Sequence, residues 1–170
     1  LERDVAAEKA KLSQYADAWR RGGGSLWTHP ALDPELGLIY VGTGNPAPQM
    51  DDFTRPGDNL YTVSLVALDV RTGKIKWYDQ HVPHDQWGYD VGTPAVLFDL
   101  REGGRTVPAL AQASKTGWLY LYNRVTGELI RRSEPFVPQH NVFHRPWGEG
   151  FEVWPAAAGG ASWSPASYDP

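Results

Sequence analysis

Hydrophobic residues follow one pattern in the first twenty or so residues and a different one in the rest of the chain. In residues 1–21 the apolar side chains recur at the spacing of one helical face, with a gap at Glu8 and Lys9. These side chains are Leu1, Val5, Leu12, Ala16 and Trp19. Three glycines follow at residues 22–24, and glycine disfavours helix. The pattern predicts an N-terminal helical segment over residues 1–21.

From residue 22 onward the apolar residues come in short runs that are separated by glycine, proline and aspartate. The clearest runs are residues 37–42 (GLIYVG), 64–69 (SLVALD), 93–98 (TPAVLF) and 117–122 (GWLYLY). Short apolar runs bounded by turn residues are typical of β-strands. Residues 22–170 are therefore predicted to form an all-β domain.

A turn motif recurs among these strands. Residues 67–77 read A-x-D-x-x-T-G-x-x-x-W, residues 31–37 repeat the first seven positions with Leu for Thr, and residues 121–127 give a weaker copy. The turn residues Asp33, Asp69, Asn123 and Asp169 are 36, 54 and 46 residues apart. This spacing is close to the roughly 40 to 50 residues of one β-propeller blade.

The motif has a physical basis, because Asp or Asn caps a tight turn, Gly takes a positive φ and Trp packs between neighbouring sheets. Unrelated hairpins that share turn chemistry are the alternative, but Trp77 and the Thr-Gly pair exceed what a turn requires. The prediction is a partial β-propeller of about three to four blades of four-stranded antiparallel sheets. Because an open arc of blades leaves unpaired sheet edges, we expect the chain to continue in a longer protein.

Composition narrows the possible functions. The net charge is −4, from 16 basic and 20 acidic side chains, and no basic run is present, which argues against a nucleic-acid partner. No apolar run approaches the roughly 18 to 20 residues of a membrane span. The absence of cysteine excludes disulfides, a thiolate nucleophile and covalently attached c-type haem, so a metal ion needs oxygen or nitrogen ligands.

Four further motifs follow one another along the chain. They are GGGSLW at residues 22–27, GTGNPAP at 42–48, RPGDN at 55–59 and PHDQW at 83–87. Their order resembles that of the PQQ-dependent (quinoprotein) alcohol and methanol dehydrogenases, which are eight-bladed propellers. The resemblance implies pyrroloquinoline quinone (PQQ) as cofactor, with a Ca²⁺ or lanthanide ion, and oxidation of alcohols or sugars by hydride transfer. A non-catalytic propeller that binds proteins is the alternative.

The resemblance also implies roles for individual residues. Trp27 is expected to be the flat surface on which the quinone stacks, and Asn45 to give a side-chain oxygen to the metal ion. Lys115 is expected to reach the quinone oxygens, and Ser162 to face the cofactor where relatives often have Asn. Each residue type alone also allows a purely structural role. Trp27 would then be a core tryptophan, Asn45 a turn cap before proline, Lys115 a solvated lysine and Ser162 a loop serine.

The chain departs from the family after the last of these motifs. Relatives carry there the Asp that is thought to accept the proton of the substrate hydroxyl, and this chain has Gly88. Asp90 matches the extra Asp of the lanthanide-using branch, so it is predicted to be a metal ligand and the candidate substitute base. Asp85 and Asp58 are fallback candidates for the base. His84 is predicted to form structural hydrogen bonds.

The resemblance further implies what lies outside this chain. In the family a Glu from an earlier blade completes the metal shell, so the remaining blades of the propeller are expected partners. Electrons are expected to leave to a separate acceptor such as a cytochrome or a quinone. Family members are periplasmic, and the same location is expected here.

Overall fold

The structure is a computed structural model that describes residues 4–51, 53–144, 149–150 and 152–169. Most regular structure in these residues is β-strand, arranged in two four-stranded antiparallel sheets. The prediction of an all-β fold built from four-stranded antiparallel sheets is confirmed. In the same residues, no helix combines the length and the apolar character that crossing a bilayer requires.

Each sheet is a meander in which strands that are consecutive in the chain lie side by side. The first sheet contains β1 (Ala31–Asp33), β2 (Leu38–Gly42), β3 (Ser64–Asp69) and β4 (Ile75–Gln80). The second contains β5 (Val96–Glu102), β6 (Arg105–Ala113), β7 (Leu119–Asn123) and β8 (Leu129–Arg132). This arrangement is that of a propeller blade.

The repeated motif forms the same turn in its copies at residues 31–37, 67–77 and 121–127. The side-chain oxygen of Asp69 accepts from the N–H groups of Arg71 and Thr72 at 3.1 and 2.9 Å. Asp33 caps the β1–β2 turn and Asn123 the β7–β8 turn in the same way. The turn chemistry predicted from the sequence is therefore present at all three places.

The blade count is smaller than the three to four that were predicted, because the described residues form two complete sheets. Asp33 and Asp69 belong to two hairpins of one sheet, so their separation does not measure a blade. Asp69 and Asn123 occupy equivalent turns of successive sheets and do measure one. The number of blades was overestimated because every hairpin of a blade can use the same turn.

The N-terminal segment is less regular than its periodicity predicts. An α-helix, α1, covers Val5–Lys11, turns follow, and a single 3₁₀ turn covers Ala18–Arg20. Residues 1–3 of the predicted helix lie outside the described residues. Leu12 is 47% and Trp19 71% exposed, so the apolar face of this segment has little to pack against. Since tertiary packing supplies most helix stability, a continuous helix to residue 21 is not maintained.

Trp77 joins the two sheets, as expected for the tryptophan of the motif. Its Nε1–H donates to the carbonyl oxygen of Arg124 at 3.1 Å, and Tyr40 donates to the same oxygen at 2.9 Å. A Cβ on Gly127 would lie 2.6 Å from the indole, and φ of Gly127 is +79°. Glycine is therefore needed twice at this turn, for its φ and for the space that Trp77 fills.

An apolar cluster and the side chain of Arg124 lie between the two sheets. The cluster is formed by Leu38, Tyr40, Leu65, Ala67, Trp77, Leu110, Trp118, Tyr120 and Tyr122. Arg124 pairs with Asp33 at 2.8 Å and with Asp99 at 3.0 Å. Burial acts to raise the pKa of Asp33, but the Leu36 N–H and the Arg124 guanidinium outweigh it and hold that pKa below its ordinary value.

A buried histidine lies in the same interface. The ring of His81 is fully buried and stacks on Tyr120 at 4.1 Å between centroids. The Tyr122 hydroxyl donates to Asp79 at 2.6 Å and lies 3.0 Å from His81 Nε2, so Nε2 carries the proton and donates to it. Burial lowers the pKa of His81 to about 4, although Asp79 acts in the opposite direction.

The stability of the protein is expected to fall as the pH is lowered from about 6.5 to about 4. The unfolded state takes up a proton on His81 at its ordinary pKa of 6.5, whereas the folded state resists protonation until about pH 4. The contribution of His81 to the free energy of unfolding is complete above pH 6.5. It is lost on acidification to about pH 4, and the loss amounts to about 3 kcal/mol. Urea unfolding at pH 7 and pH 4.5 measures this. Other groups also titrate, so a His81→Phe variant with the same pH slope as wild type would contradict the assignment.

Candidate functional site

The candidate site lies where loop segments cross beside the end of β2. The segments are residues 22–27, 42–47, 62–64 and 88–93. A Cβ on Gly42 would lie 2.0 Å from the carbonyl oxygen of Val91, and one on Gly24 would lie 2.7 Å from a methyl carbon of Thr62. The motif glycines are therefore required because the segments cross in close contact.

Asp90 is the centre of the site. It is 6% exposed, and its Oδ1 accepts from the backbone N–H of Asn45 at 2.6 Å and from Nε1 of Trp27 at 3.4 Å. Its Oδ2 lies 2.7 Å from Nζ of Lys115, which also donates to the carbonyl of Gly88 at 3.0 Å. The structure thus brings together Trp27, Asn45, Asp90 and Lys115, which are up to 88 positions apart in the chain.

Trp27 is held at its edges and is 43% exposed, so it is not a core tryptophan. A Cβ on Gly92 would lie 2.7 Å from its six-membered ring, and one on Gly44 would lie 3.2 Å from Nε1. An accessible aromatic ring with fixed edges beside polar groups is suited to a planar ligand.

Lys115 is not a solvated turn lysine. Its side chain is 12% exposed, and its carbonyl accepts from the N–H of Gly160 at 2.9 Å. A Cβ on Gly159 would lie 2.5 Å from the first carbons of the Lys115 side chain. The segment around residue 160 therefore covers the lysine and holds its ammonium group on Asp90.

Ser162 lies at the border of the site, outside the Asp90 cluster. Its carbonyl oxygen accepts from Thr93 Oγ1 at 3.0 Å and lies 2.8 Å from where a Cβ on Gly92 would be. Gly92 in turn touches Trp27. Fully buried Gln112, which sequence reasoning did not identify, donates to the carbonyl of Thr93 from beneath. Ser162 is connected to Trp27 through this backbone segment.

Asn45 has its amide oriented by a neighbour. Its Nδ2 donates to the carbonyl of Pro46 at 3.1 Å, and since a carbonyl only accepts, the orientation of the amide is determined. Oδ1 makes no hydrogen bond with any described residue. Together with the carboxylate of Asp90, it offers the neutral and charged oxygens that a hard cation prefers.

These donors fit part of a hard-cation site. Six to eight oxygens surround Ca²⁺ in proteins, and no group of three or more His, Asp or Glu side chains that could hold a metal occurs in the described residues. A cation held by Asn45 and Asp90 therefore needs further ligands from elsewhere. Lys115 also competes for the same carboxylate at 2.7 Å.

The turn before Asp90 is stabilised by Asp85. That carboxylate is fully buried and accepts from the N–H groups of Trp87, Gly88 and Tyr89. Burial raises the pKa of Asp85, and the three N–H groups oppose the rise. Asp85 caps the turn, and both of its carboxylate oxygens are held by backbone N–H groups of that turn, outside the Asp90 cluster.

The other candidates near this turn serve the fold. His84 is 1% exposed and its Nδ1 lies 2.7 Å from the carbonyl oxygen of Gly57, which agrees with its predicted structural role. Asp58 is exposed, and its carbonyl accepts from the N–H of His84 at 3.1 Å. The indole N–H of Trp87 donates to the carbonyl oxygen of His144, and the hydroxyl of Tyr89 lies within hydrogen-bond distance of the carbonyl oxygens of Val142 and Pro155. These contacts anchor the turn.

Gly88 is required by its own geometry. Its φ is +85°, a region that side chains rarely adopt, and a Cβ there would lie 2.3 Å from Nε2 of Gln49. The Gln49 carboxamide therefore occupies the space beside the Gly88 backbone. An aspartate at position 88 would be strained and would have to displace Gln49.

Comparisons with known proteins identify the family of the chain. The family model described as the β-propeller domain of PQQ glucose/ethanol/alcohol dehydrogenases matches residues 3–149. The quinoprotein alcohol dehydrogenase PedH of Pseudomonas putida is 36% identical over 190 aligned positions, which cover 99% of this chain and 32% of PedH. The chain thus spans about a third of the length of the curated relatives that it matches.

Solved structures are similar in fold as well as in sequence. A quinohemoprotein alcohol dehydrogenase, ADHIIG, from Pseudomonas putida has a TM-score of 0.79 and 34% identity, covering 88% of this chain and 24% of that one. A europium-containing methanol dehydrogenase has a TM-score of 0.79 and 32% identity, covering 89% of this chain and 29% of that one.

Proposed function

Because the chain belongs to the PQQ glucose/ethanol/alcohol dehydrogenase β-propeller family, we propose that it forms one side of a quinoprotein alcohol dehydrogenase site. The reaction is oxidation of an alcohol or a sugar hydroxyl by hydride transfer to metal-bound PQQ. The observation that carries the proposal is the Asp90 cluster, where a buried carboxylate contacts Asn45, Trp27 and Lys115.

In this proposal the metal ion is Ca²⁺ or a lanthanide, held by Oδ1 of Asn45 and by Asp90. The full negative charge of the Asp90 carboxylate, beside the neutral amide oxygen of Asn45, favours a trivalent ion. The europium in a structural neighbour supports the same choice. Bound PQQ would supply the acceptor for the hydride of the alcohol carbon, and a metal ion held by Asn45 and Asp90 would supply a Lewis acid.

The chain's own residues bind the cofactor and handle the proton. Trp27 offers its exposed ring for stacking, and Ser162 borders the same ring through Gly92. Lys115 supplies a fixed positive charge where negative charge develops on the reduced cofactor. Asp90 is the one carboxylate in this cluster, so it takes the hydroxyl proton as well as contacting the metal ion.

A non-catalytic propeller scaffold is the second candidate, and the absence of an Asp at position 88 favours it. Against it stands the combination of Trp27, Asn45 and Lys115 around one buried carboxylate, because a scaffold has no reason to keep these three residues together. The enzyme is therefore the preferred interpretation.

The rest of the site and its electron acceptor lie outside this chain in our proposal. Further blades of a longer polypeptide complete the metal shell, and a cytochrome or quinone takes up the electrons. We place the protein in the periplasm, on the family resemblance.

The test is reconstitution of the full-length protein with PQQ and either Ca²⁺ or La³⁺. We expect tryptophan fluorescence to be quenched only when both are present, and a dye-linked assay to show turnover of primary alcohols. The 170-residue chain alone is expected to bind PQQ weakly or not at all. Full-length protein that binds neither PQQ nor metal would support the scaffold, and micromolar PQQ binding by the isolated chain would refute the need for further blades.

A further inference from the structure

Arg55 connects two loops that the proposed site needs. It is 5% exposed, and its guanidinium donates to the carbonyl oxygens of Pro48 at 2.8 Å, Gln49 at 2.7 Å and Asp85 at 2.6 Å. The first two carbonyls belong to the loop that follows Asn45, and the third opens the turn that leads to Asp90.

The same side chain is held from its other side by its own motif. Nη1 of Arg55 donates to Oδ1 of Asn59 at 2.6 Å, and Nδ2 of Asn59 donates back to the Arg55 carbonyl at 2.7 Å. The guanidinium is thereby fixed in its plane, and a planar fork with separate donors can reach several carbonyls at once. A lysine ammonium, as a single point, cannot reproduce that geometry.

The two loops also meet beside Arg55. The N–H of Asn45 contacts Oδ1 of Asp90 at 2.6 Å, and the carboxamide of Gln49 lies against the backbone of Gly88. Both contacts depend on the separation of the loops, and Arg55 spans that separation with buried, charge-assisted hydrogen bonds.

We propose that Arg55 is a positioning residue that sets the distance between the Asn45 loop and the Asp85–Asp90 turn, and thereby the affinity of the site for its metal ion and cofactor. The inference rests on the proposed function for the identity of the ligands. The clamp between the loops stands on the hydrogen bonds alone.

The test compares Arg55→Lys with Arg124→Lys in the full-length protein. Arg124 is a matched control, because it is also a mostly buried arginine that bonds several acceptors, Asp33, Asp99 and the carbonyl of Phe98 among them. It lies in the interface between the sheets, at the turn on which Trp77 packs. The probes are Tb³⁺ luminescence and PQQ-dependent quenching of tryptophan fluorescence.

Arg55→Lys is expected to weaken Tb³⁺ and PQQ binding by about 10- to 100-fold, the range for residues that orient metal ligands. Arg124→Lys is expected to lower Tm and leave both affinities unchanged. The proposal would be overturned if the two variants lost the same Tm and the same affinity for Tb³⁺ and PQQ. It would also be overturned if Arg55→Lys bound both ligands as tightly as the wild-type protein. Should Arg55→Lys not fold, Asn59→Gly tests the same clamp more mildly, since φ of Asn59 is +58° and suits glycine. It should weaken binding in the same direction, and unchanged binding counts against the clamp.

Hydrogen exchange separates this proposal from the proposed function. If the wild-type protein binds neither PQQ nor Tb³⁺, the proposed function fails. Faster exchange confined to residues 43–49 and 85–91 in Arg55→Lys, and absent in Arg124→Lys, then still supports the clamp. Unchanged exchange in those two segments would refute it.

Discussion

Trp77→Ala is expected to destabilise the protein by about 3 to 5 kcal/mol, the cost of removing a large buried aromatic side chain. Trp77 is 9% exposed, lies within the cluster shared by both sheets and donates to Arg124 across the interface. Its loss leaves a cavity above Gly127 and an acceptor without one of its donors. Urea unfolding followed by circular dichroism measures the change in the free energy of unfolding.

Trp19→Ala is the matched control for Trp77→Ala. Trp19 is 71% exposed, and substitutions at such positions usually change stability by less than about 0.5 kcal/mol. If the two alanine variants lose similar stability, Trp77 does not join the sheets as described. Gly127→Ala tests the packing of the Trp77 indole in a second way. It adds a carbon 2.6 Å from the ring and should destabilise the same interface.

The strands and their turns were predictable because each is encoded locally. The apolar runs at residues 38–42 and 64–69 became β2 and β3, and the Asp69 turn formed as its residues indicated. The blade count was not predictable from the same motif, since an aspartate-capped turn suits any hairpin. Distinguishing Asp33 from Asp69 needs the pairing of the strands, which is a long-range property.

Burial was the second property that local patterns could not supply. Trp27 and Trp77 are the same residue type, yet one is 43% and the other 9% exposed. The periodicity of residues 1–21 describes a helical face, but nothing in the segment says whether that face is covered. The shortened helix α1 follows from that missing packing.

The sequence indicated which residues would lie near one another at the candidate site, but it did not indicate their contacts. A family resemblance identified Asn45, Asp90 and Lys115, but their hydrogen bonds join segments that are 25 to 45 positions apart. Arg55 and Asn59 stand in the RPGDN motif, but neither that motif nor Gln49 indicated which backbone groups these side chains contact. Such contacts arise only once the sheets have placed the loops together.

Asp90→Asn in the full-length protein is expected to lower turnover by about 10²- to 10⁴-fold, the contribution of a positioned general base. The variant keeps an oxygen for the Asn45 N–H, but it removes the charge that faces Lys115 at 2.7 Å. The variant places its NH₂ group against the ammonium group of Lys115, and it removes a charged ligand of the proposed metal ion. Binding of Tb³⁺ and PQQ should therefore weaken as well. A dye-linked assay and Tb³⁺ luminescence measure the two effects.

Asp33→Asn separates a role in the site from a role in the fold. Asp33 is 4% exposed and pairs with Arg124 at 2.8 Å, much as Asp90 is 6% exposed and pairs with Lys115 at 2.7 Å. Both variants break a buried ion pair and should lower Tm, but only Asp90→Asn should lower turnover by about 10²- to 10⁴-fold and weaken metal binding. Lost turnover with unchanged Tb³⁺ affinity would make Asp90 the base and not a ligand. Turnover within about threefold of wild type in Asp90→Asn would exclude it from the chemistry, because neither a base nor a charged ligand can be neutralised at so small a cost.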